Sequence, residues 1–303
     1  MWQINQRVNK LDIKTRVALI SMNSEMGDPD ANLKKITGWM QEAHSKGATF
    51  AIFNEESITG SMNKSDLSFS EADRIAKYAS KITKSFLEPV CSDLNMTAIV
   101  GSIEPAGDRF LNSALTIGPD GYLNTYSKLH LPNENEKKWF SLGPSLPVVR
   151  SQGWTFGVGI CFDVRFPEIF RTAALNGAEM FFLLVGGSLQ VSNSENSRVQ
   201  SKAAKLLLKD TMKLLPSRAI DNGMYVLFAN QAGHSGNAWF PGYSLGVSPD
   251  GDIVGEHSTG KEGMVVLEVS KKVVEEAKSS PKCTVDMTRP SIYNNPLIVA
   301  DAS

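Results

Sequence analysis

Cys161, one of three cysteines in the chain, follows a predicted strand at a position that suits a nucleophile. The preceding segment, 156–160, alternates large apolar side chains with glycines, which indicates a buried strand that lets another backbone come close. Pro167 and Glu168 suit the first turn of a helix, because proline has no N–H to lose there and an acid favours the positive end of the helix dipole. A thiol at such a strand end faces a turn of backbone N–H groups, although a lone cysteine is also commonly an inert buried residue.

The segment around Cys161 carries a longer pattern. Residues 159–168 are Gly-Ile-Cys-Phe-Asp-Val-Arg-Phe-Pro-Glu, followed by Arg171, Ala173, Ala174, Gly177, Ala178 and Glu179. This pattern closely resembles the cysteine motif of the nitrilase superfamily, the carbon–nitrogen hydrolases. The resemblance implies that Cys161 is the nucleophile and that an acid and a lysine lie upstream in a fixed order.

The acid motif is found at residues 53–60, Phe-Asn-Glu-Glu-Ser-Ile-Thr-Gly, after a strand predicted at 49–53. It resembles the family's Phe-Pro-Glu-x-x-x-Thr-Gly motif, which makes Glu55 the general base for Cys161 and later for water. The carboxyl ends of strands carry the active sites of open α/β sheets, so the position is suitable. Asn54 replaces the usual proline, and we expect the adjacent Glu56 to point away and be structural.

The lysine motif is Tyr-Ser-Lys-Leu-His-Leu at residues 126–131. It resembles the family's Tyr-x-Lys-x-His-Leu motif, which makes Lys128 the catalytic lysine. A fixed ammonium would stabilise the negative charge that develops on a carbonyl oxygen, and the same charge would lower the pKa of Cys161 and favour its thiolate. Outside this context a lysine in a hairpin is more often a surface residue. His130 is expected to be structural, since the motif assigns proton transfer to Glu55.

Further matches extend the resemblance from about Arg16 to Val269. The segment 136–143 resembles the one that supplies another active-site glutamate in many members, and Glu136 fits better than Glu134. Residues 218–222, Arg-Ala-Ile-Asp-Asn, resemble the family's Arg-Ala-x-Glu-Asn motif and are interpreted as a helix-end salt bridge and cap. Matches also occur at 242–244 and 249–251.

The resemblance implies a reaction without a metal or organic cofactor. Glu55 deprotonates Cys161, which attacks an amide, carbamoyl or nitrile carbon while Lys128 and the backbone N–H of Phe162 hold the oxyanion. Ammonia leaves, and water activated by Glu55 releases the acid from a thioester acyl-enzyme.

The expected substrate is a small amide that carries a carboxylate. The cysteine motif is closer to the branches that hydrolyse ω-amides or N-carbamoyl compounds than to true nitrilases, whose cysteine is usually followed by Trp-Glu. Arg165 could bind a substrate carboxylate with both guanidinium nitrogens, or pair with a nearby acid such as Glu168. The alternatives are hydrolysis of N-carbamoyl compounds or nitriles, acyl transfer to another nucleophile, and a catalytically silent interaction module on the same fold. The silent module would be marked by departures from the family motifs, which are Asn54, Asp221 and the Ser/Asn-rich segment 188–197.

The remaining sequence predicts an α/β fold. Strands are expected at 16–21, 49–53, 97–102, 113–117, 122–126, 156–160, 180–185, 224–229, 243–248 and 264–269. Helices are expected at 29–46, 71–88, 167–176, 202–222 and 270–278, with Asp28 as an N-cap, Pro89 as a stop and a break at Pro216. This order alone leaves a doubly wound sheet and a two-sheet sandwich open. The resemblance implies a four-layer α-β-β-α sandwich.

Composition excludes several classes of protein. The 303 residues include 31 basic and 32 acidic side chains and have a net charge of −1, which gives no footprint for nucleic acid. Three widely spaced cysteines argue against a disulfide framework and favour a reducing, cytoplasmic environment, and no apolar run is long enough for a membrane helix. We expect a polar arm at 1–14, one domain at 15–280 and a tail at 281–303. The resemblance further implies a homodimer or higher homo-oligomer.

Overall fold

The computed structural model describes residues 12–188 and 197–293. In chain order the strands are β1 (Lys14–Ser21), β2 (Phe50–Ile52), β3 (Thr97–Ala106), β4 (Arg109–Gly118), β5 (Gly121–Ser127), β6 (Val148–Ser151), β7 (Trp154–Ile160), β8 (Met180–Val185), β9 (Tyr225–Asn230), β10 (Ala232–Ser235), β11 (Ala238–Pro241), β12 (Ser244–Val247), β13 (Ile253–His257) and β14 (Gly263–Ser270). The α-helices are α1 (Pro29–Ser45), α2 (Phe69–Asp93), α3 (Glu134–Trp139), α4 (Pro167–Leu175), α5 (Ser197–Asn222), α6 (Lys271–Lys278) and α7 (Pro290–Tyr293).

Most of these strands form two large sheets. Within the described residues, one six-stranded sheet has the order β14-β1-β2-β3-β4-β5 and the other has the order β13-β12-β9-β8-β7-β6. Strands β1, β2 and β3 are parallel neighbours, as are β7, β8 and β9. In each sheet these parallel strands are central, so their carboxyl ends meet at one edge, where ligand sites of α/β proteins lie.

Three apolar clusters define four layers. Phe50, Phe156 and Phe182 belong to the cluster buried between the two sheets. A second cluster joins the outer face of the first sheet to α1 and α2, and a third joins the outer face of the other sheet to α4 and α5. The predicted four-layer α-β-β-α sandwich is therefore confirmed.

The start of α1 illustrates how local sequence sets an element. Asp28 accepts a hydrogen bond from the Ala31 N–H at 3.0 Å, and Pro29 opens the helix, as predicted. The glycines of β7 have a different role from the one expected, because a Cβ on Gly157 or Gly159 would lie 2.8 Å from the ring of Phe181. A neighbouring side chain, rather than a backbone, therefore occupies the space that these glycines leave.

Several predicted boundaries were wrong. Helix α2 continues through Pro89 and ends at Asp93. Pro89 is exposed and lies near the end of the helix, where the loss of one backbone hydrogen bond does not stop it. Helix α5 likewise includes Pro216. Strand β1 begins at Lys14, inside the predicted arm, and α7 lies in the predicted tail. Short elements at β6, α3, β10, β11 and β13 were not expected. Residues 1–11, 189–196 and 294–303 of the predicted arm, loop and tail lie outside the described residues.

The described helices also bear on a membrane interpretation. None of them is both long and apolar enough to cross a lipid bilayer.

Candidate active site

A buried lysine forms the centre of the site. The Nζ of Lys128, just after β5, donates to Glu55 Oε1 and to Glu136 Oε2, both at 2.8 Å. Glu55 follows β2, and Glu136 lies in α3, whose N-cap Asn133 accepts a bond from the Glu136 N–H at 3.0 Å. The three predicted charged residues are therefore brought together, with side-chain exposures of 1% for Lys128, 5% for Glu55 and 11% for Glu136. The competing Glu134 is exposed and pairs with Lys137 instead.

Glu55 is held from several directions. Its Oε1 also accepts from Asn112 Nδ2 at 2.8 Å, and its Oε2 accepts from the Gly186 N–H at 2.7 Å. Burial acts to raise the pKa of Glu55, but the charges of Lys128 and Lys64 and the hydrogen bonds from Lys128 and Asn112 outweigh it, so the pKa is lowered. Glu55 is therefore a carboxylate at neutral pH and can accept a proton.

Lys128 remains an ammonium despite its burial. Burial favours the neutral amine, but the charges of Glu55, Cys161 and Glu136 raise the pKa of Lys128 well above its usual value. For Glu136 burial is the larger influence and raises its pKa, while the Lys128 charge opposes that effect.

Cys161 begins the 3-10 turn Cys161–Arg165 immediately after β7. Its φ of +47° is in the left-handed region, which is costly for a residue with a Cβ and is found where structure holds a functional group in place. Burial and the Glu55 charge raise the pKa of Cys161 to about 12, although Lys128 acts to lower it. The Lys128 charge thus acts in the expected direction, but burial and Glu55 outweigh it, so the thiol requires a base.

The turn after Cys161 is fixed by a buried acid that sequence reasoning did not single out. Asp163 is fully buried; its Oδ2 accepts from Tyr126 OH at 2.6 Å and from the Ile160 N–H at 2.9 Å. Its Oδ1 accepts from the His130 N–H at 3.1 Å and lies 2.8 Å from His130 Nδ1. His130 also stacks on Phe166. The cysteine motif and the lysine motif are thus tied together by one carboxylate, and these contacts of His130 are consistent with the structural role expected of it.

A cavity of about 180 Å³ opens beside Cys161. Phe162 and Arg165 line it, together with the apolar Val185 and Phe228. Phe162 is the second residue of its 3-10 turn, so its N–H has no partner within that turn. Arg165 is exposed and, among the described side chains, forms no ion pair with Glu168.

Arg218 of α5 supports the same turn. Its guanidinium donates to the carbonyls of Val164 and Arg165, both at 3.3 Å, and lies over the ring of Phe170. The sequence predicts a helix-end salt bridge and cap here; among the described residues the guanidinium holds backbone next to the cysteine, and the charge of Asp221 acts on it without a direct ion pair.

The chain is similar to known proteins over most of its length. Residues 16–279 match the family model described as carbon-nitrogen hydrolase. The chain belongs to the carbon-nitrogen hydrolase family. The hydrolase is 30% identical over 264 residues to a nitrilase of Pyrococcus abyssi, which covers 86% of this chain and 91% of that protein. It is 25% identical over 287 residues to an omega-amidase of Saccharomyces cerevisiae, which covers 90% of this chain and 93% of that protein.

Solved structures show the same fold. The amidase from Nesterenkonia sp. AN1 superposes on the hydrolase with a TM-score of 0.74 at 23% identity, covering 93% of this chain and 97% of that one. That structure carries a covalently added acetamide moiety at the active-site cysteine of the Nesterenkonia amidase.

The departures of the hydrolase from its family motifs have local explanations. Asn54 is fully buried; its Nδ2 donates to Ser24 Oγ at 3.1 Å, and its Oδ1 accepts from the Met22 N–H at 3.3 Å. Glu56 is also buried, with a left-handed φ of +55° and a carboxyl within hydrogen-bonding reach of Ser61. Burial and the Glu55 charge raise the pKa of Glu56 to about 8. Among residues 12–188 and 197–293, no group of three His, Cys, Asp or Glu side chains could hold a metal ion.

Proposed function

We propose that this hydrolase cleaves a small amide that bears a carboxylate, through a thioester on Cys161, and releases ammonia. The observation that carries the proposal is the pair of 2.8 Å bonds from Lys128 to Glu55 and Glu136. These bonds join the buried carboxylate of Glu55, the buried ammonium of Lys128 and the carboxyl group of Glu136. Cys161 lines a cavity at the same strand ends.

In the first half of the reaction Glu55 accepts the thiol proton as the sulfur of Cys161 attacks the amide carbon. The carbonyl oxygen becomes an oxyanion that Lys128 and the Phe162 N–H stabilise. Glu55 then gives its proton to the nitrogen, the C–N bond breaks, and ammonia leaves a thioester.

In the second half water replaces ammonia. Glu55 accepts a proton from water as its oxygen attacks the thioester carbon, and the same groups hold the second oxyanion. Collapse breaks the C–S bond, the proton returns to Cys161, and the carboxylic acid is released. A protonated resting thiol suits this scheme, since the carboxylate of Glu55 takes a proton at the start of each half.

The protonation states follow from burial. Glu55 is ionised and the pKa of Cys161 is raised to about 12, so proton transfer is uphill in the resting site. The developing charge on sulfur and then on oxygen lies beside the Lys128 ammonium, which favours the states after attack over the state before it.

The cavity beside Cys161 supports the substrate class. Val185 and Phe228 offer an apolar wall for a short acyl chain, and Arg165 offers a guanidinium at the same cavity that forms no ion pair among the described residues. The name of the yeast relative, an omega-amidase, is consistent with an amide at the far end of a chain that carries another acid. Release of ammonia from amides, N-carbamoyl amino acids and nitriles, compared in one screen, separates the proposed class from the other two.

The nucleophile is tested by trapping. A fluoroacetamide or acrylamide probe should add its mass to Cys161 of the wild-type protein, located by peptide mass spectrometry, and should not add in Cys161→Ala. Cys91→Ala, which removes another buried thiol, is the matched control and should keep both the adduct and turnover. A wild-type protein with neither adduct nor ammonia release would contradict the proposal. Product analysis with added amine or thiol distinguishes acyl transfer from hydrolysis.

The role of Arg165 is tested by selectivity. Arg165→Ala should lower kcat/KM for acidic amides about tenfold or more, because a charged hydrogen bond is lost, and should leave neutral amides little changed. Arg150→Ala removes an exposed arginine elsewhere and is the control. Equal losses for acidic and neutral amides would exclude a carboxylate-binding role.

A further inference from the structure

A second lysine, Lys64, lies close enough to the candidate active site for its charge to act on Glu55 and Cys161. Lys64 ends the 3-10 turn Met62–Lys64, which follows the motif that contains Glu55. Its Nζ donates to the carbonyl oxygen of Gly186 at 2.9 Å and lies 4.9 Å from the centre of the Phe240 ring. The ammonium is half-buried and is directed at backbone rather than at a carboxylate.

Gly186 connects this lysine to Glu55. The Gly186 N–H donates to Glu55 Oε2 at 2.7 Å while the carbonyl of the same residue receives the Lys64 bond. A Cβ on Gly186 would lie 2.9 Å from that same Oε2, so the backbone is packed directly against the carboxylate. The next residue, Gly187, lines the cavity beside Cys161 and donates to Asn230 Oδ1 at 2.9 Å. The segment that holds Glu55 is therefore itself held by Lys64 and Asn230.

Lys64 also changes the charge of the site. Glu55, Glu56 and Glu136 place three carboxyl groups near one another, and Lys128 balances one of them. Burial is the largest influence on each and raises its pKa, whereas the Lys64 charge lowers the pKa of all three and of Cys161. The influence of this lysine thus reaches both the base and the nucleophile.

We propose that Lys64 is a positioning residue of this amidase centre, which fixes Gly186 and through it Glu55, and supplies the second positive charge among the three carboxyl groups. The inference rests on the proposed role of Glu55 as the base. It assigns a function to a residue that touches neither the substrate nor the reacting atoms.

Three substitutions separate the hydrogen bond from the charge. Lys64→Met removes both, Lys64→Gln keeps a donor for the Gly186 carbonyl without charge, and Lys64→Arg keeps both. With the best amide substrate, Lys64→Met should lower kcat about tenfold and change KM less than about threefold, because the position of the base is lost rather than substrate contact. Lys64→Gln should recover part of kcat, and Lys64→Arg most of it.

The pH profile separates this role from a merely structural one. Loss of the Lys64 charge raises the pKa of Glu55, so the acidic limb of kcat/KM should move to higher pH by about half a unit to one unit in Lys64→Met and Lys64→Gln. Lys77→Met, which removes an exposed lysine of α2, is the control for net charge and should leave the limb in place. A variant that only folds less well would lose active enzyme at every pH and keep its limb.

The reactivity of Cys161 supplies a readout that does not depend on turnover. At a given alkaline pH, iodoacetamide should alkylate Cys161 severalfold more slowly in Lys64→Met than in the wild type or Lys77→Met, because the thiolate is less favoured. If the wild type neither releases ammonia nor forms the fluoroacetamide adduct, the proposed function fails, while slower alkylation of Lys64→Met by iodoacetamide still supports the electrostatic role of Lys64. Coincident alkylation rates and coincident pH limbs would overturn the inference.

Discussion

At the scale of single residues, burial and adjacent charge compete, and burial prevails at Cys161 whereas charge prevails at Glu55 and Lys128. Lys128 lies beside Cys161, yet the pKa of Cys161 is raised to about 12, because burial and Glu55 outweigh the ammonium. Sequence motifs could identify Glu55, Lys128 and Cys161, since each is marked by its neighbours in the chain. The protonation state of the thiol could not be predicted, because it depends on how completely the surrounding layers exclude water.

Asp163 is the residue that most clearly joins parts of the site. We expect Asp163→Asn to lower kcat about 10- to 100-fold and the free energy of unfolding by about 2–3 kcal/mol, because an amide cannot accept from Tyr126, Ile160 and His130 together. Steady-state kinetics and urea unfolding measure the two effects.

Asp108→Asn is a suitable control for that substitution, because Asp108 is exposed in the turn between β3 and β4. Its kinetics and stability should match those of the wild type. An Asp163→Asn protein with wild-type kcat would show that the turn after Cys161 does not need its carboxylate.

Glu56 should make stability depend on pH. Its pKa is raised from 4.5 to about 8, so between these values the folded protein holds a proton that the unfolded chain has released. The free energy of unfolding therefore falls as pH rises through this window, by an amount on the order of a few kcal/mol. Glu56→Gln removes this dependence. In urea unfolding, the stability of the Glu56→Gln protein relative to wild type should therefore be greater at about pH 8.5 than at about pH 5.

Glu42→Gln provides the comparison, because Glu42 is an exposed residue paired with Lys46 on α1. Its difference from wild type should be nearly constant over the same range. Parallel curves for Glu56→Gln and wild type would contradict a raised pKa for Glu56.

At the scale of elements, long apolar strands and capped helices could be predicted, whereas short elements could not. Strand β8 is a continuous apolar run and α1 has a clear cap, so local sequence specifies both. Strand β13 is mostly exposed at the edge of its sheet, and α3 has six residues. Such pieces are set by what they pack against, which is distant in sequence. For the same reason the contact of Lys64 with Gly186, across 122 positions, has no signal in the sequence.

The glycines of β7 provide a test at this scale. A Cβ on Gly159 would lie 2.8 Å from the Phe181 ring, so Gly159→Ala should lower the free energy of unfolding by about 1–3 kcal/mol through overpacking. The change lies two residues before Cys161, so kcat should fall with it. Thermal or urea unfolding measures the stability.

Gly38→Ala in α1 is the matched substitution with the opposite expectation. Apart from the adjacent residues and the backbone of the helix itself, no atom lies within 4 Å of a Cβ added at Gly38, which is exposed within the helix. Alanine should therefore raise stability by up to about 1 kcal/mol through its helix propensity. A stabilising Gly159→Ala would show that the space above β7 is less filled than the structure indicates.

At the scale of the whole molecule, the resemblance of the sequence to its family supplied the layered architecture that pattern alone left open. The family relationship also leads to a proposal about assembly, a homodimer through α4 and α5. Leu175, at the end of α4, is 45% exposed, which suits a residue covered by a second copy. Leu175→Glu should therefore convert a dimer to a monomer in light scattering coupled to size-exclusion chromatography.

Tyr122→Glu is the control, because Tyr122 is similarly exposed at 40% but lies on β5, at the edge of the other sheet. It should leave the mass in solution unchanged. A wild-type mass equal to one chain, or a Leu175→Glu protein that stays dimeric, would contradict assembly through α4.

The distribution of the site over two sheets has a consequence for the integrity of the chain. Glu55 and Lys128 follow strands of one sheet, whereas Cys161 follows a strand of the other. A protease cut at the exposed Pro144–Ser145 bond would leave the first two residues on one fragment and the thiol on the other. Because β14 of the second fragment must pair with β1 of the first, the two fragments would have to interleave to restore the fold. After the fragments are separated, catalysis would return only as they reassociate, at a rate that depends on the concentration of both.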